Sequence, residues 1–307
     1  MRKIVKNYSS LILITFMLLA PLNCRATEYT YVDCSNQLYT YESMMEDMVQ
    51  LATGHESIMT FESIGATIQG RNIWLIKFGN LEADNKILIT ASIHAREYMT
   101  SQLVMRMLEE YVLNYSNYAG FFDTVCFYIL PMVNPDGVTI SQFGIDGKPM
   151  TQIKSNANGV DLNRNFPIGF NNERGAASAP GIGHYPGLAP LSEFETMAIA
   201  VLLQNNDFVT GINYHSMGNI VYYGASTNTT EVANGCKNMA TIVCSINGYR
   251  AKYCGEAIGS FADYFGTVEA APSVTIEIGT ANPVPISQFT GIYNKNLLIW
   301  LTVANLY

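Results

Sequence analysis

The chain has 307 residues, 49% of them hydrophobic, with 25 Asp+Glu against 17 Lys+Arg. That length suffices for one large core, and no Pro/Gly/Ser linker, repeat or charge block divides it, so a single domain is expected. The acidic balance argues against nucleic acid and anionic membrane surfaces as partners.

Residues 1–26 have the form of a secretory signal: a basic start in Arg2, Lys3 and Lys6, an apolar core from Leu11 to Ala20, and Cys24-Arg25-Ala26 as the exit. The apolar core is too short to span a bilayer. Cleavage near Ala26 is expected, leaving a domain at 27–307 that is secreted, extracytoplasmic and not stably inserted in a membrane. A lipoprotein anchored through Cys24 is the alternative, disfavoured by Pro21-Leu22-Asn23 as its lead-in. After cleavage Cys34, Cys126, Cys236, Cys244 and Cys254 remain, an odd count at irregular spacing and no disulfide framework; Cys236 with Cys244 or Cys254 is the nearest pairing.

Along the rest of the chain strand-like runs alternate with helix-like ones. A helix is expected at Tyr41 to Ala52, strands at Asn72 to Phe78 and Lys86 to Ile93, a helix at Glu97 to Tyr115 and a strand at Thr124 to Met132. From Asn134 to Pro190 the chain is rich in Gly, Asn and Pro, which reads as a functional loop system. A helix follows at Glu193 to Asn205, with Ser192 and Glu195 spaced as a capping box. Strands are expected at Phe208 to Tyr214, Ile220 to Tyr223 and Ser273 to Ile278, and a helix at Ile286 to Tyr307. Several strands are almost continuously apolar, as in sheets covered on both faces, so the fold class is α/β with helices on both sides.

Four histidines make a short search for metal ligands. His94 and Glu97 sit three residues apart at the end of an expected strand, and His215 closes another. Three N/O ligands are the usual protein set of a catalytic zinc, which leaves a coordination position for water. Carboxyl ends of strands in open α/β sheets face the binding crevice, so the three converge if their strands are neighbours. The alternative is two ordinary histidines and a glutamate stabilised by a helix N-terminus. His55 lacks the second histidine of a His-Glu-x-x-His helix, and His184 has no carboxylate at ligand spacing.

The segments Asn134-Pro-Asp-Gly137 and Gly159-Val-Asp-Leu-Asn-Arg-Asn-Phe-Pro167 decide between these readings. With His94-Ala-Arg-Glu97, His215-Ser216 and Thr275-Ile-Glu-Ile-Gly279, in this order, the chain resembles the zinc metallocarboxypeptidase family from about Arg71 to Asn296. The resemblance implies a mixed central eight-stranded sheet flanked by helices and one zinc per chain held by His94, Glu97 and His215. Asp161 then orients His94, a partner that fixes the tautomer and raises ligand basicity; a turn-capping Asp is its other reading. Glu277 matches the general base, and a carboxylate among Val274, Ile276 and Ile278 is costly to bury without a purpose. Asn163 and Arg164 match the groups that grip the substrate's terminal carboxylate, a task suited to a planar guanidinium fork. Arg96 matches an accessory subsite arginine.

Departures from the family pattern bear on specificity. Lys154 stands where digestive relatives place an oxyanion-stabilising arginine, and supplies charge without the fork. The family's mobile tyrosine falls near Cys254, with Tyr253 one residue away. Phe261 falls at the base of the terminal side-chain pocket, while Glu256, Asp263 and Glu269 lie nearby in sequence, which leaves apolar and basic terminal residues both open. No inhibitory pro-domain separates the signal from Arg71, so export in active form is expected. The runs Pro272 to Gly279, Asn282 to Phe289 and Asn294-Lys-Asn296 look most like the bacterial branch that cleaves γ-D-glutamyl bonds to a diamino acid in cell-wall peptides. The expected partner is therefore a peptide or muropeptide with a free carboxylate, met by a monomer. Two other functions stay open: a non-catalytic module that binds peptide termini or cell wall, and hydrolysis of a non-peptide amide.

Overall fold

The computed structural model describes residues 31–307, so the expected signal segment at 1–26 lies outside the described residues. Eight strands, β1 (Met59–Ala66), β2 (Asn72–Gly79), β3 (Asn85–Ala91), β4 (Val125–Leu130), β5 (Phe208–Ser216), β6 (Ile220–Tyr223), β7 (Arg250–Tyr253) and β8 (Ser273–Ile278), make one mixed sheet. Its order is β1-β2-β4-β3-β5-β8-β6-β7. The four central strands β4, β3, β5 and β8 run parallel. Antiparallel pairs β1–β2, β2–β4 and β6–β8 flank them, with β7 parallel to β6 at the edge.

Period-two alternation divides these strands between two cores. Ile87, Ile89, Phe127, Ile129, Ile212, Tyr214, Ile276 and Ile278 enter one, with residues of α1 (Tyr41–Ala52), α2 (Met99–Leu113), α3 (Tyr115–Phe122), α6 (Thr230–Asn247), α8 (Phe289–Asn296) and α9 (Ile299–Ala304). Leu88, Cys126, Tyr128 and Leu130 enter the other, with residues of α5 (Phe194–Gln204) and α7 (Phe261–Val268). In the first core Trp300 is fully buried, stacks on Phe127 at 5.5 Å and donates its indole N–H to the Tyr214 hydroxyl at 3.2 Å. Buried aromatics of this kind dominate core energetics.

Local chemistry explains the element ends and corrects some sequence expectations. Thr40 caps α1 by accepting from the Ser43 N–H. The expected Glu97 to Tyr115 helix begins with a short 3-10 turn at Ala95–Glu97, and α2 breaks at Asn114 before α3. The C-terminal expectation also divides, into a 3-10 turn at Ile286–Gln288, α8 and α9. Ser192 does not cap α5: its hydroxyl bonds the Glu193 carboxylate, and the capping box occurs at Ser260 and Asp263 of α7. The Asn134 to Pro190 stretch holds one helix, α4 (Pro135–Phe143), capped by Asn134. No cysteine pair forms among the described residues, and the Cys236 thiol instead accepts from the Ser273 N–H. No described helix is long and apolar enough to cross a membrane.

One buried acid makes stability depend on pH. Asp47 on α1 is 6% exposed and accepts from the Tyr39 hydroxyl at 2.5 Å, and burial pushes its carboxyl up to about 7. A folded-state pKa above the unfolded value means that the native state holds this proton more tightly. The stabilisation is complete below about pH 4 and lost as pH rises through about 7. Asp47→Asn keeps an acceptor for Tyr39 without the titration. It should exceed the parent stability by about 2 kcal/mol near pH 8 and match it near pH 4, read from denaturant midpoints across pH. A difference that does not vary with pH would place the effect elsewhere.

Candidate active site

The topology makes β3, β5 and β8 adjacent, and their carboxyl ends deliver the polar residues to one place. His94 follows β3, Glu97 ends the 3-10 turn behind it, and His215 on β5 pairs in register with Glu277 on β8. Because Ile212, Tyr214, Ile276 and Ile278 face the first core, Asn213, His215, Thr275 and Glu277 face the opposite side of the sheet. The His94 turn is fixed from outside by two backbone bonds, Ala95 N–H to Lys154 O and Arg96 N–H to Ile153 O, each 3.1 Å.

Glu97 is the hub. Its Oε1 lies 2.8 Å from His94 Nδ1, its Oε2 lies 3.1 Å from His215 Nδ1, and the Ser216 N–H donates to Oε2 at 3.2 Å. Burial raises the pKa of this carboxyl, but the His94 charge and hydrogen bonds from His215 and His94 outweigh burial and hold it well below the carboxylate range. His94, Glu97 and His215 are all buried, and one ligand atom from each falls within 4.8 Å of the others. Two imidazole nitrogens and one carboxylate oxygen aimed at a common point are the donor set and spacing that a tetrahedral zinc takes from a catalytic site.

Asp161 caps a turn and also lies against His94. Its Oδ1 lies 3.2 Å from His94 Nε2, inside ion-pair range though off the line of a hydrogen bond, since that nitrogen has no hydrogen-bond partner. The same carboxylate caps the 3-10 turn Leu162–Arg164 through the Asn163 N–H, accepts the His184 N–H at 3.1 Å and pairs with Lys154 Nζ at 3.3 Å. Burial raises the Asp161 pKa, and the neighbouring charges, His94 first and then Lys154 and Arg164, carry it well below the usual range.

Two adjoining cavities meet at this point, and Asn163, Arg164, His215 and Glu277 line both. The larger, about 410 Å³, holds the three candidate ligands with Arg96 and Lys154. Burial pushes Glu277 up to about 7, with the Glu97 charge adding to that push and His215, Lys154 and Arg96 opposing it. The Asn163 Oδ1 accepts the Phe261 N–H at 2.9 Å, which leaves its amide NH2 to serve an anion. Arg164 donates to Asn163 O at 2.7 Å and to Glu173 at 2.8 Å, and the buried Nε atoms of Arg164 and Arg96 have no hydrogen-bond partner. Tyr253 is the one expected site residue not brought in: it ends the edge strand β7, packs on Tyr223 at 5.9 Å, and leaves Cys254 and Tyr222 to line the smaller cavity.

Several supporting residues were given no role by the sequence, although Asn134 opened one of the segments that carried the resemblance. Glu173 couples Arg164 to His184, whose Nδ1 lies 3.3 Å away. Asn134 uses both ends of its amide, accepting from the Gly137 N–H and donating to Ile93 O and Ser155 O, so it ties the end of β3 to the loop carrying Lys154. Asn156 and Asn158 each donate to Glu193 at 2.8 Å and anchor that loop to the start of α5. His55 lies apart, bonded to Leu51 O at the end of α1.

Comparison with known proteins places this arrangement. A family model described as zinc carboxypeptidase matches residues 44–295. The γ-D-glutamyl-L-diamino acid endopeptidase 1 of Lysinibacillus sphaericus is 29% identical over 88% of this chain and 73% of its own length. Carboxypeptidase B of Rattus norvegicus is 30% identical over 75% of this chain and 58% of its own length. Among solved structures, thrombin activatable fibrinolysis inhibitor superposes with a TM-score of 0.77 at 18% identity, covering 91% of this chain and 77% of that one; this likeness shows the fold.

The His94–Asp161 contact is open to test by metal affinity. Asp161→Asn should bind zinc about 10- to 100-fold more weakly, measured by competition with a chromophoric chelator. Unchanged affinity in a folded variant would reduce Asp161 to a turn cap.

Proposed function

We propose that this chain, which belongs to the zinc carboxypeptidase family and is a zinc metallopeptidase, is exported and hydrolyses the amide bond next to a terminal residue that bears a free carboxylate. The observation that carries this reading is the partition shared by the two cavities, where Glu277 and His215 stand beside Asn163 and Arg164. Zinc, when bound by His94, Glu97 and His215, supplies Lewis-acid chemistry that polarises a carbonyl and acidifies water.

The remaining steps belong to side chains. Glu277, at the end of β8 beside His215 and on the wall that both cavities share, receives the proton of the attacking water and returns it to the leaving amine. Lys154, held by Asp161, places its ammonium in the larger cavity and offsets charge that develops on the carbonyl oxygen. Asn163 and Arg164 hold the terminal carboxylate, and Arg96 adds a further cation to the larger cavity. Holding the substrate at two points, carboxylate and carbonyl, converts attack by water into a positioned event.

A second reading, cleavage of a γ-D-glutamyl bond to a diamino acid, uses the same residues. It is favoured by the Lysinibacillus relative, which aligns with 88% of this chain. Export rests on the basic and apolar pattern of residues 1–26.

Glu277→Gln should retain about one zinc per chain and lose at least about a hundredfold in kcat, the lower range of general-base effects. Undiminished turnover by the metal-loaded variant would remove Glu277 from the mechanism. Incubation of the zinc-loaded parent with C-terminal peptides and muropeptides, read by mass, separates the two substrate classes: loss of single C-terminal residues supports the first reading, and release of diamino-acid fragments alone supports the second.

A further inference from the structure

His184 is not among the candidate metal ligands and lines neither cavity, and the same is true of Glu173. Together they reach Arg164 from behind. One Glu173 oxygen lies 2.8 Å from Arg164 Nη2, and both lie 3.3 Å from His184 Nδ1, so a single carboxylate sits between a guanidinium and an imidazole. Burial raises the Glu173 pKa, and the Arg164 bond and charge, followed by those of His184, hold it below the usual carboxylate range.

The backbone aims the imidazole. His184 has a φ of 65°, in the left-handed region that favours glycine and that histidine enters more readily than most side chains. Its N–H donates to Asp161 at 3.1 Å and its carbonyl accepts the Ala177 N–H at 2.9 Å, which holds that conformation. Backbone strain that its surroundings keep in place clusters at functional positions. The charged groups around the ring are Glu173 with Arg164 beyond it and, on the side of its own backbone, Asp161 with Lys154, whose stem runs beside Gly183. Arg174, next to Glu173, is exposed. Of the other three histidines, two are candidate ligands and His55 lies at the end of α1. His184 is therefore the histidine left to change charge beside the carboxylate-binding residues.

Resting on the reading that Arg164 holds the terminal carboxylate, we infer that Glu173 and His184 are positioning residues, which set how much of the Arg164 charge the substrate meets. With a neutral imidazole, Glu173 neutralises Arg164 alone, and an incoming carboxylate meets a pair with no net charge. With a protonated imidazole, one carboxylate serves two cations, and the trio keeps a net positive charge for the substrate. Binding of the terminal carboxylate then strengthens as pH falls through the range in which histidine gains its proton, about 8 to 6. By linkage, the bound carboxylate raises the proton affinity of His184 by the same factor. The His184 side chain is 54% exposed, so solvent screens the effect, and roughly threefold is expected, as for other exposed ion pairs.

The test is calorimetric binding of two acylated dipeptides, one ending in a free carboxylate and one in the carboxamide, to full-length zinc-loaded Glu277→Gln. That background removes both cleavage and the Glu277 titration, and the ratio of the two affinities isolates the terminal carboxylate. The ratio should rise roughly threefold from about pH 8 to about pH 6. Adding His184→Asn, which also tolerates the left-handed region, should leave it flat, and adding His184→Lys should hold it at the higher value throughout. Adding Glu173→Gln should also abolish the rise, because the effect passes through that carboxylate. The carboxamide peptide is the control for folding, since its affinity should be the same in every variant. A rise that survives His184→Asn or Glu173→Gln overturns the inference, as does a carboxylate preference that does not vary with pH before either change. A ratio of one at every pH removes the carboxylate role of Arg164 and this inference with it. The expected pH dependence, with no peptide cleaved by the unsubstituted protein, would sink the peptidase reading alone.

Discussion

A carboxylate that is 2% exposed must find partners or give up its charge, and Glu97 finds one just past the end of β3 and another on β5. His94 Nδ1 and His215 Nδ1 each face one of its oxygens, at 2.8 and 3.1 Å. An uncompensated buried charge costs several kcal/mol, so this arrangement fixes the adjacency of β3 and β5 as firmly as any apolar contact between them. The same convergence makes the metal position, since three groups that must neutralise one another in its absence already point where a cation would sit.

Register links that constraint to the core. Pairing His215 with Glu277 also aligns Ile212 with Val274 and Tyr214 with Ile276. All four of the latter face the first core, and a one-residue slip of β8 would turn Ile276 and Ile278 out of it while moving Glu277 in. The penalty for the slip comes from apolar burial, about 25 cal/mol per Å², and the benefit falls on the chemistry. Stability of the sheet and placement of the proposed base are therefore one requirement. Asn134 and Asn156 extend it to the loop, where amide bonds to Ile93 O, Ser155 O and Glu193 position the segment from Lys154 to Arg164.

This division explains what was legible in the sequence. The ligand set was readable because histidines are few and two of them end apolar runs, a pattern that strand direction turns into proximity. All six expected strands exist, whereas the two edge strands were not foreseen: β7, Arg250–Tyr253, has every residue exposed, and β1, Met59–Ala66, buries only its first, so neither offers an apolar run to find. Counting placed the tyrosine position near Cys254, one residue from Tyr253, and that one residue separates a side chain that lines the cavity, Cys254, from one that packs on Tyr223. Glu173 was invisible for a different reason. It meets Arg164 within a stretch of irregular turns, where no periodicity relates a residue to its partner.

Two of the three candidate substrate-facing cations are already paired in the structure, Lys154 with Asp161 at 3.3 Å and Arg164 with Glu173 at 2.8 Å. This avoids leaving isolated cations in a partly dry cavity, and it changes what binding a carboxylate means. In the proposed roles, a terminal carboxylate would share Arg164 with Glu173 and the charge developing on the carbonyl oxygen would share Lys154 with Asp161, so the Coulombic gain is smaller than for a bare cation. The gain in orientation remains, because Glu173 and Asn163 O occupy the Nη atoms of Arg164 while its Nε stays unsatisfied. Weak, well-oriented binding is the more useful arrangement for turnover: interactions made equally with substrate and transition state lower KM without raising kcat, whereas a fixed geometry at the carbonyl favours the transition state alone.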